Sequence, residues 1–191
     1  MQTRRHKLTP RAALAALLVL ATALIAACGG DTETDSAETV GNPTDRAFVK
    51  AMVPHHQSAI EMAAVAAEEG ESRFVKDLAA DITRTQKAEI EQLERIDAQL
   101  AEAGIEMGDP GMAGQTMGMD MEMSADDLRG AEPFDEKFIA MMVPHHESAI
   151  EMARMELEQG SNPDLKQLAE SIIAGQEREV KAMRDAAASD A

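Results

Sequence analysis

The chain has 191 residues, with 18 Lys or Arg against 35 Asp or Glu, and its formal net charge is −17. This excess of acid excludes nucleic acid as a natural partner, because phosphate binding needs the opposite charge, and it favours the attraction of cations. The chain has no Trp, no Tyr and four Phe, so it also lacks the aromatic platforms on which bases or sugars stack.

The first 27 residues have the pattern of an export signal. A basic start precedes the uncharged run "AALAALLVLATALIAA", which is short for a membrane span and typical of a secretory signal. The run ends in small residues before Cys28, the only cysteine, and "IAAC" resembles a bacterial lipoprotein signal. We therefore expect cleavage before Cys28 and lipidation of its sulfur, with a free thiol as the alternative. The protein would then be exported and anchored by lipid to the outer face of the cell membrane, or to a periplasmic membrane face.

The residues after the signal predict a tether and a first helical hairpin. Residues 28–43 are small, polar and acidic, which is typical of a flexible segment. A helix is predicted from Thr44, taken as its N-cap, to Gly70, because apolar residues recur at the helical period. Ser72 is the predicted cap of a second helix that ends at Gly104. Residues 44–103 thus form the first predicted hairpin.

A methionine-rich linker is predicted over residues 104–133. Its stretch "MGMDMEM" places a sulfur at every second residue, and Gly and Pro in the linker disfavour a long helix. Thioether sulfur is a soft ligand that favours Cu(I) and, by the same softness, Ag(I). The alternative is that these methionines fill gaps on the bundle surface. The predicted soft-metal loop consists of Met117, Met119, Met121 and Met123.

The second hairpin, predicted over residues 134–187, repeats the first without a change of register. "MVPHHQSAIEMA" at 52–63 and "MVPHHESAIEMA" at 142–153 differ in one residue of twelve. Asn162 takes the place of Ser72 as a cap, and Pro163 stands at the first helical position, where its missing N–H does no harm. Two hairpins with one-sided apolar faces bury them best against each other. The sequence therefore predicts an all-α four-helix bundle with pseudo-twofold symmetry.

Polar residues interrupt the apolar faces at equivalent places in both hairpins. The only histidines after the signal lie on or beside the apolar stripe, whereas Glu61 and Glu151 fall on the opposite side and are expected to face solvent. On the following helices, Gln and Glu three residues apart interrupt the stripe and need buried partners, for which the histidines are natural candidates. One interpretation is a His–Glu network that fixes helix register; the other, which the confinement of all four histidines favours, is a metal site. The residues concerned are His55, His56, His145 and His146, with Gln86, Glu89, Gln176 and Glu179 as supporting residues or ligands.

The phrases "FVKAMVPHHQSAIEMA" and "FIAMMVPHHESAIEMA", each followed by a helix with Gln-x-x-Glu, resemble the DUF305 family of secreted and lipid-anchored bacterial proteins. The resemblance covers nearly all of residues 44–187 and implies a ferritin-like four-helix bundle. Some members, including CopM-like proteins, are linked to copper binding and resistance through His and Met ligands. The resemblance thus implies metal binding at the four histidines with support from Met52, Met62, Met142 and Met152. The ligand set departs from that of ferritin-like di-iron proteins, which use Glu-x-x-His and more carboxylates, so iron is less favoured than copper.

Three functions follow as hypotheses. The first is a binding protein that sequesters a copper ion, most simply Cu(I), or hands it to a metallochaperone or transporter, with a homo-oligomer as a further option. The second is a ferritin-like metal-dependent oxidase. The chain shows no other catalytic motif, so a binding protein is favoured over an enzyme. The third is an interaction protein in which the polar core only sets the helix pairing.

Overall fold

Four helices make up most of the structure, a computed structural model that describes residues 40–108 and 124–189. They are α1 (Pro43–Glu69), α2 (Arg73–Glu102), α3 (Phe134–Gln159) and α4 (Pro163–Ser189), and a short 3₁₀ helix, Ala125–Asp127, precedes α3. Within these two ranges no helix is long and apolar enough to cross a membrane. The predicted signal, Cys28 and the predicted soft-metal loop lie outside the described residues.

The helices form two antiparallel hairpins, α1 with α2 and α3 with α4, that meet along α1 and α3. α2 and α4 touch each other much less, so a groove separates them. Two apolar clusters fill the interior. One contains Met62, Ile82 and Phe138, and the other contains Phe48, Met52 and Leu168. The all-α four-helix bundle predicted from the sequence is confirmed.

The first helix begins two residues earlier than the sequence predicted, and Thr44 is not its cap. The Asn42 side chain accepts hydrogen bonds from the backbone N–H groups of Thr44 and Asp45, at 2.8 and 3.2 Å. Pro43 occupies the first helical position, where a residue without an N–H costs no hydrogen bond. Asn is as good a cap as Thr or better, and the proline after it fixes the start of the helix.

Pro54 and Pro144 lie inside α1 and α3, directly before the histidine pairs. Helix continues on both sides of each proline, so neither proline marks a helix start. A proline inside a helix removes the hydrogen bond to the carbonyl four residues earlier. In α1 that carbonyl belongs to Lys50. The backbone next to each histidine pair thus has less internal hydrogen bonding than the rest of its helix.

An aspartate in the first turn of each hairpin binds the turn of the other hairpin. Asp45 in α1 accepts hydrogen bonds from the N–H groups of Ser161 and Asn162, at 2.9 and 3.0 Å. Asp135 in α3 accepts them from the N–H groups before α2, both at 2.8 Å. N–H groups at a helix start have no partner within the helix, so these two acids complete the caps of α2 and α4 from the opposite hairpin.

The end of the linker is part of the bundle. Leu128 follows the 3₁₀ helix, is fully buried, and lies in the apolar cluster that also contains Phe134 and Phe138. The Glu69 carboxylate accepts a hydrogen bond from the Gly130 N–H at 2.8 Å, and Gly130 has a φ of +69° that favours glycine. These contacts fix the direction in which the chain enters α3.

Candidate metal site

The four histidines lie in the interior, as the position of the apolar stripe predicted. Their exposed fraction is 6% or less. His55 of α1 and His145 of α3 meet across the interface between the hairpins, with ring centroids 3.8 Å apart and ring planes tilted by 39°. The Ser148 hydroxyl donates to the His145 carbonyl at 3.0 Å, so it accepts the proton of His55 Nε2 at 2.7 Å. The two hairpins are therefore in direct contact through the imidazoles of His55 and His145.

The second histidine of each pair, His56 or His146, is held by a glutamate of the following helix. His56 Nε2 lies 2.8 Å from Glu89 Oε2, and His146 Nε2 lies 2.7 Å from Glu179 Oε2. A carboxylate only accepts hydrogen bonds, so each Nε2 carries the proton and the lone pair of the neutral ring is on Nδ1. Neither Nδ1 has a hydrogen-bond partner among the described residues, and both are buried. A carboxylate that orients an imidazole so that its other nitrogen is free is the usual arrangement around a bound metal ion.

Burial lowers the pKa of the His145 imidazole. Removal from water lowers the pKa of its imidazole well below the usual value, and the neighbouring His55, His146 and His56 act in the same direction. At neutral pH the His145 ring is therefore uncharged. A neutral ring keeps a lone pair that a metal ion can use.

The four methionines of the doubled phrase are buried in the two apolar clusters. Met52, Met62, Met142 and Met152 are at most 2% exposed. Met62 and Met142 share one apolar cluster, and Met52 and Met152 share the other. Each cluster thus contains one methionine from each copy. The buried interior of the bundle therefore contains thioether sulfur, a soft donor, on the same two helices as the imidazoles.

The two glutamines do not pair with the histidines, contrary to the prediction from the sequence. Gln86 and Gln176 are 2% and 4% exposed, and no described residue gives a hydrogen bond to the amide oxygen or nitrogen of either. The glutamates take the histidine nitrogens instead, because their carboxylates are the stronger acceptors. Buried amides without partners are uncommon in proteins, and both line the groove between α2 and α4.

The remaining predicted residues are more dispersed. Glu61 and Glu151 are exposed, as expected, and Met107 of the linker is 44% exposed. Nowhere in residues 40–108 or 124–189 do three or more His, Cys, Asp or Glu side chains come close enough to hold one ion. The sequence reasoning missed Ser148, although the serine stands in both copies of the doubled phrase. The histidines thus form one His55–His145 pair and two His–Glu pairs. An ion shared between them would need thioether or solvent ligands as well.

Comparisons with known proteins identify the family of the chain. Residues 45–187 match DUF305, described as a domain of unknown function, and the chain belongs to that family. CopM in its Cu(I)-bound form is 32% identical with a TM-score of 0.62, covering 74% of this chain and 93% of CopM. A DUF305 fragment from Deinococcus radiodurans is 28% identical (TM-score 0.62, 76% and 96% covered), and a putative secreted DUF305 protein from Streptomyces coelicolor is 26% identical (TM-score 0.63, 76% and 93% covered). No curated protein matches the chain.

Proposed function

We propose that this protein binds copper, most simply as Cu(I), in the interior of its bundle and sequesters or transfers it outside the cytoplasm. The observation that carries the proposal is the pair of carboxylate-oriented imidazoles, His56 and His146, whose buried Nδ1 atoms have no partner among the described residues. A lone pair in such a position is costly unless something binds it. The donor set of imidazole and thioether fits Cu(I) better than the harder ions, which prefer oxygen.

The relatives support the choice of metal. CopM has been solved with Cu(I), with Cu(II) and with Ag, and all three ions accept imidazole or thioether ligands. The strong negative charge of this chain would raise the local concentration of any cation. Anchoring through lipidated Cys28, and capture of further ions by Met117, Met119, Met121 and Met123, belong to the same proposal.

The thioethers and the imidazoles can be tested separately. We would titrate the protein anaerobically with Cu(I) against a chromophoric chelator, and compare wild type with a variant in which Met52, Met62, Met142 and Met152 are Leu. Leu fills nearly the volume of Met, so the core stays packed while the sulfurs are lost. A second variant carries His56→Gln and His146→Gln, and Glu61→Gln with Glu151→Gln is the matched control on the exposed face.

Both site variants should compete for Cu(I) less well than wild type, and the control should not change. Equal competition by wild type and by both site variants would refute a site in the bundle. If wild type takes no copper, the His–Glu pairs serve helix register alone. Iron found in the purified protein, together with oxygen consumption on reduction, would favour an oxidase instead.

A further inference from the structure

The groove between α2 and α4 is the feature that the proposed function leaves unexplained. It has a volume of about 510 Å³ and is lined from both helices. Its walls include Glu89 and Glu179, the two carboxylates that hold the buried histidines, and its floor includes Gln86 and Gln176. These four residues come in two equivalent pairs from the two hairpins. The groove therefore reaches the glutamate of each His–Glu pair.

We propose that this groove is the port through which a metal cation enters and leaves the interior, with Glu89 and Glu179 as its first ligands. The inference rests on the proposed function, because a port has no purpose without a buried site. The side chains of Glu89 and Glu179 are 18% and 19% exposed, whereas those of His56 and His146 are fully buried. An ion arriving from solvent thus meets a carboxylate before it meets an imidazole.

The buried amides of Gln86 and Gln176 would be the next ligands of an entering cation. Gln86 and Gln176 each present an oxygen that no described side chain or backbone group satisfies, and both residues line the groove. A carbonyl oxygen can replace water around a cation that has left solvent. An apolar floor would offer no such ligand, and a buried amide without any partner would be a net cost. A cation in transit gives these amides the partner that the protein does not.

The rim of the groove has the charge that such a port needs. Asp77 and Asp81 are exposed and line the groove, as do Arg84 and Arg178. The Arg84 guanidinium donates to Asp81 at 2.8 Å, and that of Arg73, which does not line the groove, donates to Asp77 at 3.2 Å, so both rim carboxylates are partly neutralised. With Glu89 and Glu179 the groove still carries four acids against two bases. A cleft with one prevailing sign of charge raises the local concentration of the opposite ion and its rate of association.

Gly175 is a position from which a large side chain would fill the groove. It lies in the middle of α4 and lines the groove, while its equivalent on α2, Thr85, carries a side chain there. Glycine inside a helix costs stability relative to alanine. No turn or close contact requires it, because a Cβ added at Gly175 would meet only Arg178, 4.0 Å away. An alanine would thus fit at this position, and only a large side chain would occupy the groove.

A plug in the groove tests the port directly. Purified protein with Gly175→Trp should load Ag(I) or Cu(I) about tenfold more slowly than wild type in stopped-flow mixing. The ion then enters only in the minor population whose indole swings aside. Release to a chelator should slow equally, and the equilibrium affinity should stay as in wild type. Gly175→Ala, which leaves the groove open, is the matched control and should load at the wild-type rate.

A second variant keeps the test decisive if the indole disturbs folding. Asp77→Asn with Asp81→Asn should slow loading by up to about tenfold at low salt and flatten its salt dependence. Glu61→Gln with Glu158→Gln changes the charge equally on exposed residues outside the groove and should load faster than the groove variant. Wild-type loading rates in the plugged variant, or in the groove variant if the plug unfolds, would overturn the port and leave the copper site standing. Absence of copper binding by wild type would overturn both.

Discussion

The buried carboxyl of Glu156 should make the bundle less stable as the pH rises, and Glu156→Gln should remove that dependence. Glu156 is 1% exposed and its neighbour Asp45 is fully buried. Burial and the neighbouring carboxylate of Asp45 together raise the pKa of Glu156 to about 9. Burial also acts to raise the pKa of Asp45, but the neighbouring carboxyl of Glu156 and hydrogen bonds from backbone N–H groups outweigh it, so that pKa is lowered. At neutral pH Glu156 therefore keeps its proton and Asp45 does not.

The sign and size of the effect follow from proton linkage. Between the ordinary value of 4.5 and about 9, the folded protein binds a proton at Glu156 that the unfolded chain has lost. Unfolding then releases a proton, so the free energy of unfolding falls by up to about 1.4 kcal/mol per pH unit. From pH 6 to pH 8 the loss attributable to Glu156 is thus up to about 3 kcal/mol. Asp45 has the opposite sign, but its contribution is lost only below its ordinary value of 3.8.

Urea denaturation of wild type and Glu156→Gln at pH 6, 7 and 8 measures this effect. The quantity to follow is the difference between the two free energies of unfolding, because other titrating groups, His145 among them, cancel in it. We expect wild type to lose stability relative to the variant at each step upward. Glu158→Gln, on the exposed face of the same helix, should track wild type. A difference that stays constant from pH 6 to pH 8, or that moves in favour of wild type, would refute the reasoning.

Three further predictions concern the caps and the linker. Asp135→Ala should lower the free energy of unfolding by about 1–3 kcal/mol, because two N–H groups before α2 lose their acceptor; exposed Glu136→Ala is its control, and equal urea midpoints would contradict it. Asn42→Ala should cost about 1 kcal/mol by removing the cap of α1, and an unchanged thermal midpoint would exclude that role. Leu128→Ala should cost about 2–5 kcal/mol because it leaves a cavity; a smaller loss in urea denaturation would mean that the linker end is not anchored there.

Periodicity was sufficient to predict the helices and their burial. The apolar stripe placed the four histidines inside and Glu61 outside without any knowledge of packing, because helical spacing alone decides which side chains share a face. The start of α1 was placed wrongly because Asn42 and Thr44 are both good caps. Only the following Pro43 decides between them, and its preference for the first helical position was not used.

Choices among neighbours could not be read from the sequence. Glutamine and glutamate both interrupt the stripe on α2 and α4, and spacing alone does not say which one reaches a histidine. Pairing across the hairpins has the same limitation. The contacts of His55 with His145 and Ser148 depend on how α1 and α3 cross, and no local sequence pattern encodes that crossing. The groove was missed because it depends on how loosely α2 and α4 pack.

The exchange of aspartate caps has a consequence for chains that carry only one copy of the repeat. In this protein the turn before α2 takes its acceptor from Asp135 of the other half, and the turn before α4 takes its acceptor from Asp45. In a single hairpin of this kind, the acid and the turn lie at opposite ends of the first helix and cannot reach each other. It would satisfy both only by facing a second molecule around a true twofold axis. Duplication within one chain thus secures at any concentration an arrangement that half-length chains reach only by dimerising.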